Sequence, residues 1–182
     1  MQKCVAICPL NNHYIGEMLS HKISKIIWVI TAISLAPLTS STAATSKESG
    51  SGAILSISKT KNITTDSTIK ISGSHFDETV GIYLAMCKKV AISKLPSPCG
   101  GGMDQSGVSG SSIWVSSNPP PYGKGLAIPF KAGGRFNFSI QVSPMIGKFD
   151  CRKIRCAIYA RADHTRSNDR SYDISIPIRF KK

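Results

Sequence analysis

The residues with most chemistry to offer are six cysteines, four histidines and 23 Lys and Arg set against 10 Asp and Glu. Cys87, Cys99, Cys151 and Cys156 carry no close Cys-x-x-Cys pair, so neither a zinc site nor a thiol redox motif is expected, and an even set in an exported chain reads as two disulfides. Four cysteines allow three pairings. The local pairing closes Cys87 on Cys99 and Cys151 on Cys156, whereas a link from Cys87 to Cys151 or Cys156 would clamp two sheets with Trp114 nearby. Beyond residue 44 the histidines are His75 and His164, each beside a turn or in a loop; the spacing of His164 and Asp163 predicts a local hydrogen bond. No acidic pair or Ser/His/Asp set is localised enough to nominate a catalytic site. With no Gly-x-Gly-x-x-Gly, Walker lysine or His-Glu-x-x-His motif either, the chain is not expected to be an enzyme, or to hold a metal or cofactor.

The cations concentrate late in the chain. Ten Lys or Arg lie from Lys148 onward against Asp150, Asp163, Asp169 and Asp173, a field that attracts polyanions such as an anionic cell-envelope polymer or phospholipid headgroups. The interleaved aromatics of a nucleic-acid module are missing, so nucleic acid is not an expected partner. Trp114, Tyr122 and Phe130 bracket a loop stiffened by Pro119, Pro120 and Pro121, and a rigid aromatic loop suits recognition. These three, with Lys89 and Tyr159, are the candidate ligand-binding residues.

The elements that must position these side chains read as strands. Seven short runs mix apolar and small polar residues: 53–58, 68–73, 81–87, 112–116, 135–142, 156–160 and 174–180. Between them stand Gly- and Pro-rich turns, and no run has helical periodicity, which predicts an all-β, seven-stranded immunoglobulin-like antiparallel sandwich over residues 53–182. Pro177 removes a ladder donor from the last run and predicts an edge or bulged strand there. The Ser-, Gly-, Lys- and Glu-rich residues 45–52 read as a flexible leader.

Upstream, Lys22 and Lys25 precede an uncharged apolar run from Ile26 to Ala36 and a small polar stretch ending at Ala44, the order of a secretory signal peptide over residues 18–44. Residues 1–17 are then an extension or precede the true start at Met18. The apolar run is shorter than the ~20 residues of a membrane span, so cleavage near Ala44 and a secreted or envelope location are expected; retention of the segment as a membrane anchor is the alternative. The mature chain is expected to be a monomer.

The cysteine order, with Asp150-Cys151-x-x-x-x-Cys156-Ala157-Ile158 leading to Ile176-Pro177-Ile178-Arg179-Phe180, resembles the neocarzinostatin-like family of secreted actinobacterial sandwiches. The resemblance covers about residues 53–180. It implies a seven-stranded immunoglobulin-like sandwich with two short-loop disulfides, Cys87 with Cys99 and Cys151 with Cys156, and a non-enzymatic protein that binds a ligand or envelope component through loops at one end. Some family members carry an apolar enediyne chromophore with DNA-directed activity. Where those carriers place an aromatic two residues past the first cysteine this chain has Lys89, and it is basic where they are acidic. The runs 116–123 and 163–170 are more similar to the family's cell-envelope members, which implies a small apolar ligand or an anionic envelope polymer as partner; a basic adhesion module is the companion reading.

Overall fold

The computed structural model describes residues 44–100 and 112–182; the expected extension and signal peptide lie outside them. All seven expected strands are present: β2 (Ile54–Ile57), β3 (Ser67–Ser74), β4 (Ile82–Lys88), β5 (Ser112–Val115), β6 (Phe136–Val142), β9 (Cys156–Ala162) and β10 (Ile174–Ile178). Three more join them, β1 (Thr45–Glu48) and the short ribbon of β7 (Met145–Ile146) with β8 (Phe149–Asp150). Two four-stranded sheets result, in the orders β1-β2-β3-β6 and β10-β9-β4-β5, every pairing antiparallel.

One core joins the sheets. In β3 the alternation of Ile69 and Ile71 with Thr68, Lys70 and Ser72 places only the isoleucines inside, the period-two signature of a half-buried strand. Leu55 and Ile57 of β2 and Phe136 and Ile140 of β6 meet Ile82, Leu84 and Met86 of β4 and Ile158 and Ala160 of β9 in a single buried cluster. The sandwich is therefore an all-β, antiparallel fold. β10 lies at a sheet edge, which accommodates Pro177.

Residues 45–48 correct the expectation of a wholly flexible leader. Thr45 pairs with Ile57 and Glu48 with Ile54, and Ser46 and Ser56 hydroxyls lie 2.6 Å apart. All four residues are exposed, so this strand is held by backbone hydrogen bonds rather than by an apolar face.

Both disulfides are local, Cys87–Cys99 and Cys151–Cys156. The long-range clamp is ruled out by this pairing. Because the closed loops span 12 and 5 residues, chain-entropy reasoning gives about 3 kcal/mol for the first and about 2 kcal/mol for the second. Paired alanine substitutions are expected to lower the unfolding free energy in that order, measured by urea titration.

Candidate functional site

β4 and β9 are buried on both faces. Their alternate residues point away from the core, and register sets them in rows: Trp114, Tyr83 and Arg161 in one, Ser112, Ala85 and Tyr159 in the next. The first row lies near the start of β4 and the end of β9. There the Tyr83 and Trp114 rings are 6.0 Å apart and the Arg161 guanidinium sits 5.5 Å from the Tyr83 ring centre, a cation over an aromatic face.

The turn after β9 completes this end. Asp163, almost wholly buried, caps the short 3-10 helix His164–Arg166 by accepting from the Thr165 backbone N–H at 2.9 Å, and its other oxygen accepts from Trp114 Nε1 at 2.9 Å. That cap aims His164 back at the aromatics. Its Nδ1 lies 2.6 Å from the Tyr83 hydroxyl and its Nε2 2.5 Å from the hydroxyl of Tyr122. Burial, then the nearby Asp163 charge, pushes the Tyr83 phenol up to about 12, so Tyr83 keeps its proton at neutral pH.

Asp163 thus bonds Trp114 and Thr165 where a bond to His164 was expected. Each imidazole nitrogen of His164 is within hydrogen-bond distance of a phenol hydroxyl. Among the described residues no group of three or more His, Cys, Asp or Glu side chains could hold a metal ion.

The five candidate ligand-binding residues separate. Trp114 and Tyr122 join the His164 cluster, Trp114 buried and Tyr122 60% exposed. Tyr159 lies with Ala85, Cys87 and Ala157 in a small cluster beside Cys99, its hydroxyl accepting from the Val90 N–H at 3.3 Å. Phe130 packs inside the sandwich against Phe76 and Phe136, ring centres 6.2 Å away in each case.

Lys89 leads to the opposite end of β4. A cavity of about 520 Å³ opens there, lined by Lys89, Arg152, Lys153, Arg155, Arg179 and Lys182. Its apolar wall includes Ile154, Ile178, Phe180 and the Cys151–Cys156 bridge. The clustering of late cations was legible in the sequence, whereas their convergence on a cavity needed the antiparallel return of β9 and β10.

At the same end as the His164 cluster, just before β10, Asp173 is gripped by Arg170 at 2.8 Å, while its other oxygen, Oδ1, is buried with no hydrogen-bond partner among the described residues. Burial pushes its carboxyl up to about 6, against the opposing pull of Arg170 and Arg161. The folded chain therefore binds more protons than the unfolded one between about pH 3.8 and 6. The resulting stability is present below that window and is lost as pH rises through 6. Urea midpoints should fall across this window, and Asp173→Asn should flatten the fall.

No protein-family model matches the chain, and no curated protein matches it. Among solved structures the chain is similar to macromomycin, with 12% identity and a TM-score of 0.45 over 71% of this chain and 99% of that one. The fold class rests on the sheets and disulfides described above. Among the described residues no helix is long and apolar enough to cross a membrane.

Proposed function

We propose that this chain is an exported, non-enzymatic binding protein that engages an anionic component of the cell envelope through the loops at the basic end of its sandwich. The observation that supports this most is the convergence of six Lys and Arg on one cavity where β4 ends, β9 begins and β10 ends. Opposite charge on a partner would lower the mutual repulsion of those groups and steer association. Charge held at exposed side chains is screened by salt, because the Debye length falls from about 10 Å at 0.1 M to about 3 Å at 1 M. Washing intact cells with rising salt is therefore expected to release the protein progressively. Retention through high salt, with release only by detergent, would overturn the reading.

A second reading, carriage of a small apolar ligand, draws support from Ala85 and Ala157 beside Tyr159 and the Cys87–Cys99 bridge. These buried side chains lie on the face of β4 and β9 that points away from the main core, small groups around one aromatic. Organic extraction of the exported protein, followed by mass analysis, should recover a stoichiometric apolar compound if this reading holds.

A further inference from the structure

We infer that the basic cavity is a binding site for a phosphate-ester anion of an envelope polymer or lipid headgroup, an assignment that rests on the proposed envelope-binding function and names the chemistry of its site. Of the six cations around the cavity only Arg152 has an ion-pair partner among the described residues, Asp150, at 2.9 Å. That bond, with the Asp150 charge behind it, raises the Arg152 guanidinium further and holds the carboxyl below its usual range. Lys89, Lys153, Arg155, Arg179 and Lys182 are left as like charges around one space, an arrangement that repels itself until an anion enters.

The backbone fixes where three of them start. The Lys89 N–H donates to the Arg155 carbonyl at 2.8 Å, tying the end of β4 to the loop closed by Cys151–Cys156. Arg179 is held on the third side, its N–H donating to the Thr60 carbonyl at 2.8 Å and its own carbonyl accepting from Ile63 at 3.2 Å. Cations carried on tied segments lose less freedom on binding than cations on a loose tail.

The chemistry of the walls narrows the ligand. Guanidinium groups match tetrahedral phosphate through paired N–H donors, and Lys89 adds a point charge. Ile154, Ile178 and Phe180 line the same space, and they suit the carbon skeleton of a phosphate ester better than a bare, fully hydrated ion. The volume of about 520 Å³ lies within the range of sites for small organic ligands.

The test uses the full exported chain and titrates it with inorganic phosphate, a glycerol phosphate oligomer, a carboxylate polymer of equal charge, and phosphatidylcholine vesicles with and without phosphatidylglycerol. Lys89→Gln, Arg155→Gln and Arg179→Gln together remove three cavity charges. Lys70→Gln, Lys124→Gln and Lys131→Gln remove three exposed charges that do not line the cavity. The cavity variant is expected to weaken binding of the oligomer, or of the phosphatidylglycerol vesicles, by about tenfold or more, and the control variant by about twofold, since charge-assisted bonds exceed diffuse screened attraction. Binding of the oligomer identifies a polymer source, and binding of the vesicles alone identifies a headgroup; either upholds the site. Equal losses in the two variants, or equal binding of the carboxylate polymer, would overturn it while leaving the envelope-binding function in place. Failure of the native chain to bind any of these anions at low salt would remove both.

Discussion

Asp163→Ala is expected to lower the unfolding free energy by about 3–5 kcal/mol, because it takes the charged acceptor out of a buried network. The carboxylate accepts from Trp114 Nε1 and the Thr165 N–H, each at 2.9 Å, and from the Thr165 hydroxyl at 2.5 Å. Without it the indole N–H stays buried with no acceptor and the turn carrying His164 loses its cap. Trp114 itself is 1% exposed, so water cannot take over as partner. Asp163→Asn retains one acceptor oxygen and should cost less, about 1–3 kcal/mol. Urea titration with both disulfides intact measures the difference; a loss below about 1 kcal/mol in the alanine variant would show that Asp163 does not organise this end. The cluster and the basic cavity occupy opposite ends of β4 and β9, so the folded variant is expected to keep the salt-sensitive association proposed for the basic end.

The same network shows where sequence reasoning ran short. Strand positions were legible because turns rich in Gly and Pro bound each apolar run, and the core alternation of β3 is written directly in Ile69 and Ile71. β1 carried no such signal. Its residues Thr45 to Glu48 are all exposed, and backbone pairing with β2 leaves no trace in side-chain type. Each strand of the β7–β8 ribbon is two residues long, below the length at which alternation can be read.

The site was harder for a different reason. Tyr83 and His164 meet across a separation of 81 residues, a contact fixed by the pairing of β4 with β9 and by the Asp163 cap. Tyr83 drew no attention because an aromatic inside an apolar run reads as core. Phe130 borders the proline-rich loop in sequence, yet its side chain turns inward against Phe76 and Phe136, a contact that loop composition does not encode. The disulfides lie between these cases, since spacing left three pairings open and only the family resemblance implied the local one.

Gly134→Ala is expected to be as damaging as loss of Asp163, by about 4 kcal/mol, through the backbone rather than a polar network. Gly134 sits at φ +59°, and a Cβ there would fall 1.9 Å from the Phe76 carbonyl oxygen and 2.4 Å from its nitrogen. Both obstacles are main-chain atoms, so no rotamer change relieves them. The approach is tight because two turns are bonded together: the His75 N–H donates to the Gly133 carbonyl at 3.0 Å, and Glu78 accepts from the N–H groups of Gly133 and Gly134 at 2.9 Å each. Pushing them apart would also pull Phe76 off Phe136, whose rings are 5.1 Å apart. Gly125→Ala provides the control, since it shares a positive φ of +83° with open space around it. It should lose only the strain of the left-handed conformation, about 1–2 kcal/mol. Thermal unfolding of the two variants, at about 3 °C per kcal/mol for a domain of this size, separates the contributions; equal losses would mean that φ alone, and not the contact with Phe76, makes glycine necessary at 134.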